Sequence, residues 1–405
     1  MTNKSYYHSW QQLIVSLWLI GSSAVFLAYS LANPIANWDM VAYAASAESL
    51  DTSDVELIHS RVYGELKDRL SEDEFNTITA DNSYRQAMYS DAEAFGEQIP
   101  FYSIRITFNT LLATLRDFGI SVYDAGYWVS AIAYTVALLA LWGSSNDRIH
   151  PVLQMFFPVM FYKYTMDLEV TRQILAGSLA SVWVVFMCVA YLRRSSLLLP
   201  LIALSVFVRV DLIIFSGLLL LVLFMTSERK KYLSLFSCGL VLLASYLVVQ
   251  QWAGNYGWST LYYFAIISDM LATNPSEYGK IGFSLQEYIN SLFHPGWVSR
   301  MYRVTALFAT ILLVVWKMGG SIEEDNKRVC RITTVCMLYI VVHYLIFPQM
   351  YLRIFVGQNL MIFAGFAILC THYWQVFAVG GGRSVQLPGE LVFKPADNGR
   401  KYEHQ

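Results

Sequence analysis

Apolar residues in this chain are gathered into long uninterrupted runs separated by short polar segments. A bilayer core about 30 Å thick needs roughly 20 apolar helical residues to cross it. Runs over 11–32, 123–144, 172–192, 232–251, 303–318, 332–348 and 354–374 read as membrane passes. Residues 151–164 are shorter, with Pro151 at the start and Pro158 inside, which predicts a bent pass. Residues 196–226 are apolar apart from the interruption Arg209-Val210-Asp211.

Basic clusters settle how those runs are counted, because short cytoplasmic segments collect Lys and Arg. Arg193-Arg194 precedes 196–226 and Arg229-Lys230-Lys231 follows it, so the stretch enters and returns as a hairpin of two short helices. Arg148 and Arg193-Arg194 likewise make 151–192 a pair turning at 165–171. The expectation is an all-α polytopic membrane protein of about ten passes with both termini cytoplasmic, in a bacterial inner membrane. Its first outer segment, 33–122, carries fifteen acids against six bases. The first pass reads as an uncleaved anchor, since its run exceeds the 7–15 apolar residues, roughly, of a signal peptide.

Composition agrees. The 405 residues are 56% hydrophobic and 14% charged, against about 25% charged in soluble domains. A net charge of −2 with no basic excess excludes a nucleic-acid binder. Cys188, Cys238, Cys330, Cys336 and Cys370 form no CxxC pair and read as small apolar fillers. The chain has no P-loop, GxSxG, HExxH or dinucleotide fingerprint.

Residues 1–378 read as one multipass domain, and 379–405 as a flexible cytoplasmic tail. Within 33–122, Val55, Leu57, Ile58, Val62, Leu66 and Leu70 recur at helical spacing, and 101–117 forms a second amphipathic stretch. Such helices lie in the membrane interface. The second outer segment, 252–302, is rich in aromatics from Trp252 to Trp297. These read as an interfacial belt or as a platform for sugar rings.

Ionisable groups near a membrane are functional candidates because burying them is costly. Asp39, where the chain leaves the first pass, is either a helix N-cap or a general base with Tyr43 one turn away. Asp167 and Glu169 share the turn 165–171, either solvated or converging with Asp39 on a divalent cation such as Mg or Mn. Arg209 and Asp211 form a local ion pair at the hairpin tip, or Arg209 grips a lipid-linked phosphate. Arg353, and Arg172 beside Glu169, are further phosphate candidates. His343 is a packed histidine or a proton carrier.

The stretch Trp38-Asp39-Met40-Val41-Ala42-Tyr43, with Pro100 through Arg105, Asp117 through Ala125, and Val208-Arg209-Val210-Asp211, resembles the C-type membrane glycosyltransferases over roughly 1–230. The resemblance implies a polyprenyl-phosphate-sugar donor and a glycan or lipid-linked acceptor. It makes Asp39 the base, with the phosphate leaving toward Arg209, Arg353 or Arg172 and with Arg105 on the substrate side. The Asp-Glu or Asp-Asp doublet of several members is a single Asp here. Thr171-Arg172-Gln173-Ile174-Leu175-Ala176 is also similar to a helix start in Wzy/EpsG-type polysaccharide polymerases, which implies that arginines carry the chemistry. A transporter or flippase of lipid-linked sugars is the remaining alternative.

Overall fold

A computed structural model describes residues 3–160, 168–268, 273–278, 283–294, 296, 323–349 and 351–379. Of the described residues 81% are helical, and none lies in a strand. The opening helix is α1 (Asn3–Ala32). A layer of shorter helices follows: α2 (Trp38–Glu48), α3 (Val55–Arg69), α4 (Glu72–Ala80), α5 (Ser83–Ser90), α6 (Ala92–Gly96), α7 (Ile99–Ser103) and α8 (Ile106–Asp117). The apolar elements are α9 (Val122–Ser145), α10 (Pro151–Met160), α12 (Gly177–Leu192), α13 (Leu198–Val208), α14 (Leu212–Thr226) and α15 (Tyr232–Trp252), with the single turn α11 (Leu168–Thr171) before α12. Three short helices, α16 (Trp258–Tyr262), α17 (Pro275–Tyr278) and α18 (Leu285–Leu292), precede α19 (Glu324–Ile346) and α20 (Val356–Val379).

Among the described residues four helices are long and apolar enough to cross a membrane: Trp10–Ala32, Val122–Ser145, Arg229–Trp252 and Glu324–Ile346. Helix α15 shows why a bilayer suits them: Leu233, Phe236, Leu240, Val241, Leu247 and Val248 are all exposed. In water such a face would be an unpartnered apolar patch. Helix α12 is the opposite case, buried nearly all round and packed on α9, α13, α19 and α20. Small residues allow that crossing. A Cβ on Gly357 would lie 2.8 Å from the Cα and carbonyl oxygen of Ser181.

The hairpin expected at 196–226 is present as α13 and α14, packed on each other and both against α15. The expected pass at 303–318 lies outside the described residues, as do Asp167 and Trp297. Helix α12 begins at Gly177, not at 172. Backbone groups there bond elsewhere: Ile35 N–H donates to the Arg172 carbonyl at 2.8 Å and Leu175 N–H to Ser130 Oγ at 3.0 Å.

The segment 33–122 is an ordered layer with its own apolar core, including Ile58, Val62, Leu66, Phe95, Phe108 and Leu112. Its helices start on side-chain caps: Asn37, Asp54, Asn82 and Asp91, and Ser71 with Glu74 in a capping box. Buried Glu48 joins α2 to Arg61 at 3.1 Å and Arg116 at 2.7 Å. The amphipathic stretch read as 101–117 is broken into α7 and α8. Arg105 Nη1 and Asn109 Nδ2 donate to the carbonyls of Phe101 and Tyr102, which closes α7. The layer meets the segment after α15 through aromatics, with Phe101 stacked on Phe264 at 5.0 Å.

Candidate functional site

Helix α2 begins where α1 hands over to a five-residue linker, and that linker is pinned by the loop before α12. Arg172 Nε donates to the Asn33 carbonyl, and its guanidinium lies over Tyr29. Asn37 Nδ2 donates to Gln173 Oε1 at 3.2 Å, while Asn37 Oδ1 accepts from Met40 N–H at 3.1 Å and caps the helix. The cap therefore belongs to Asn37, and the Asp39 carboxylate is released for other contacts.

Those contacts come from two distant parts of the chain. Arg353 Nη1 sits 2.8 Å from Asp39 Oδ2, and Tyr102 Oη donates to Asp39 Oδ1 at 2.9 Å. Asp39 retains 17% of its side-chain exposure and Arg353 35%, so the pair is accessible. Tyr43, one turn along α2, meets the Tyr102 ring edge-on at 5.1 Å. Arg105 lies over both rings, 4.9 Å from Tyr102 and 5.6 Å from Tyr43. No carboxylate pairs with Arg105 among the described residues. One guanidinium thus pairs with the Asp39 carboxylate, and a second lies over the ring of the tyrosine that bonds it. The Asp39 carboxylate raises the pKa of Arg353, and burial followed by Asp39 pushes the Tyr102 phenol well above its usual value. Burial raises Tyr43 as well, against the opposing charge of Arg105. Both phenols therefore stay protonated donors at neutral pH.

A second polar cluster lies behind the first. Arg209 ends α13 in an extended conformation and grips Asp211 with two contacts, Nε to Oδ1 and Nη2 to Oδ2, each 2.5 Å. Tyr339 Oη donates to Asp211 Oδ2 at 2.6 Å, and His343 Nε2 lies 3.3 Å from the same oxygen. Arg209 Nη2 also donates to the carbonyl of Ile354 at 3.2 Å, which anchors the residue after Arg353. Gly177 closes this junction. A Cβ there would lie 3.1 Å from the Arg353 carbonyl oxygen and 3.6 Å from Arg209 Nη1.

The structure thus brings together Asp39, Tyr43, Arg105 and Arg353, and separately Arg209, Asp211 and His343. Arg172 serves the linker, and Glu169 is exposed on α11. Among the described residues no three His, Cys, Asp or Glu side chains gather as a metal site. Asp39 has both oxygens engaged by Arg353 and Tyr102, and Asp167, considered with it for Mg or Mn, lies outside the described residues. Tyr102 and Tyr339 were not singled out from sequence. Tyr339 lies four residues before His343, one helical turn away, and that spacing was the available signal.

No family model matches this chain, no curated protein matches its sequence, and no solved structure matches its fold.

Proposed function

We propose that this chain is a membrane glycosyltransferase that moves a sugar from a polyprenyl-phosphate donor to a glycan or lipid-linked acceptor. In this reading it is a ten-pass protein of a bacterial inner membrane with both termini cytoplasmic, working at the outer face in envelope polysaccharide or glycoconjugate synthesis. The observation that carries the reading is the accessible Asp39–Arg353 pair beside Arg105, which has no carboxylate partner among the described residues.

The chemistry follows from exchanging ion-pair partners. A donor phosphate competes with Asp39 for Arg353, and Arg105 supplies a second guanidinium for the same anion. Asp39, so released, accepts the proton of the acceptor hydroxyl as that oxygen attacks the anomeric carbon. The bond from that carbon to the phosphate oxygen breaks, its electron pair leaves with polyprenyl phosphate, and the configuration inverts. Stabilisation of the leaving phosphate then rests on the arginines. Arg209, committed to Asp211, acts as a positioning residue through the Ile354 carbonyl.

The test supplies a polyprenyl-phosphate hexose, labelled in the sugar, to liposomes holding the full chain and a lipid-linked oligosaccharide acceptor. Label should pass into a glycosidic product, and Asp39→Asn should lower that rate about 10²–10⁴-fold. An Asp39→Asn variant with the wild-type rate would sink the mechanism. Loss of product in Arg172→Ala and Arg353→Ala, with Asp39→Asn active, would favour the polymerase. Sugar crossing the bilayer without new glycosidic bonds would favour a transporter.

A further inference from the structure

Helix α18, with Phe293 just past its end, has three kinds of surface. At about 100° per residue, Tyr288 and Leu292 share one side, Leu285, Ile289 and Phe293 the next, and Gln286, Glu287 and Asn290 the third. The first side packs on the protein. Tyr288 Oη donates to the Leu345 carbonyl, and the Leu292 carbonyl accepts from Tyr344 Oη at 2.6 Å. The second side is apolar and uncovered, with Leu285 63%, Ile289 40% and Phe293 73% exposed. The third side is polar and exposed as well.

The helix that holds α18 sets its depth. Helix α19 carries Glu324, Asp325, Lys327, Arg328 and Arg331 at its first end and no Asp, Glu, Lys or Arg beyond them. Its 23 residues extend about 34 Å. Its last turn, at Leu345 and Ile346, therefore reaches the opposite edge of a bilayer core about 30 Å thick. Tyr288 bonds that turn, and Trp258 Nε1 donates to the Ile346 carbonyl at 2.9 Å. Leu338, Leu345 and Ile346 are exposed, so the helix against which α18 lies presents apolar surface of its own. Trp258 and Phe283 are exposed too, with ring centroids 5.7 Å apart, as suits aromatic side chains where hydrocarbon meets water.

We propose that α18 is an interfacial helix, seated on the bilayer with Leu285, Ile289 and Phe293 in the acyl boundary and Gln286, Glu287 and Asn290 in water. A lipid boundary is the occupant that fits both exposed sides, since it offers hydrocarbon to one and water to the other. Water alone would leave three large apolar side chains unpartnered on one stripe. The sole charge on α18, at Glu287, is negative, so the seating draws on apolar burial and not on attraction to anionic headgroups. It steadies the end of α19 that leads into the turn carrying Arg353, and it is independent of what the Asp39 centre does.

The experiment places the full chain in phosphatidylcholine nanodiscs with a nitroxide at one of six exposed positions. These are introduced as Leu285→Cys, Ile289→Cys and Phe293→Cys on the apolar side, and Gln286→Cys, Glu287→Cys and Asn290→Cys on the polar side. Signal from the labelled wild-type chain, with its five native cysteines, is subtracted. Collisions with oxygen, which concentrates in hydrocarbon, and with a water-soluble nickel chelate report the surroundings of each label. The oxygen-to-nickel collision ratio should be severalfold higher on the apolar side than on the polar side, and adding phosphatidylglycerol should leave that pattern unchanged. Equal ratios on the two sides overturn the proposal. Labels on the apolar side that neither reagent reaches would put a second copy or another protein there, which overturns it too. So does a pattern that appears only with phosphatidylglycerol.

Discussion

Asp211→Asn is the sharpest probe of how the centre is held. Asp211 receives both contacts of the Arg209 fork, the Tyr339 hydroxyl and the His343 ring. Arg209 keeps only 8% exposure, so neutralising its partner strands a buried guanidinium. Breaking one side of such a pair costs about 3–5 kcal/mol. Replacing both members, as Arg209→Met with Asp211→Leu, removes the stranded charge but orphans the Ile354 carbonyl and the Tyr339 hydroxyl. Those losses amount to about 1–3 kcal/mol each. The double variant should therefore fall short of the two single losses added together, by about 4 kcal/mol on those figures. Titration of the detergent-solubilised protein with SDS, read by circular dichroism, gives all four stabilities of the cycle. If Asp211→Asn falls within about 0.5 kcal/mol of wild type, as surface changes do, the cluster carries no structural weight. Strict additivity would refute the pairing equally well.

Three further outcomes are expected. Arg116→Met leaves buried Glu48 with the half-exposed Arg61 as its one remaining cation among the described residues, so the layer of α2–α8 should lose about 3 kcal/mol and be cut faster by added protease; an unchanged cleavage rate would count against it. Gly357→Ala drives a methyl group into the Ser181 backbone at 2.8 Å and should cost about 1–3 kcal/mol in the same SDS titration, whereas a neutral result would mean that α20 can slide on α12. Tyr102 holds its proton above the usual phenol range in the folded chain, so its contribution is intact below pH about 10 and is lost as pH rises beyond it. Melting temperature should fall over that alkaline range, less steeply in Tyr102→Phe; parallel curves would refute the assignment.

What the sequence showed and what it hid divide along a physical line. The hairpin at 196–226 was legible because two basic clusters on its flanks demand the same side of the membrane, a constraint that acts locally. Asp39 stood out because a carboxylate at a membrane exit is costly wherever the fold sends it. The choice of cap was not legible, since Asn37 and Asp39 are equally good capping residues and only the bond from Met40 N–H decides between them. The start of α12 at Gly177 was hidden for a similar reason. Apolar residues run on through Ile174, Leu175 and Ala176, and only tertiary hydrogen bonds from Ile35 and to Ser130 withdraw those backbone groups from a helix.

Least legible was the partner of Asp39, because an ion pair between elements so distant in sequence leaves no periodic trace. Its geometry nonetheless explains why the layer of α2–α8 is so heavily fastened. Asp39, Tyr102 and Arg105 belong to that layer, whereas Arg353 belongs to the turn before α20. The Asp39–Arg353 contact is therefore a bond between two separately packed cores. Each side is fixed by bonds of its own: Asn37 to Gln173 on the α2 side, and Arg209 to the Ile354 carbonyl on the other. With both supports in place, an anion can take Arg353 from Asp39 at the cost of one partly exposed pair, without loosening either core. In the proposed transferase reading, a carboxylate set up in this way becomes a base only when the anion arrives.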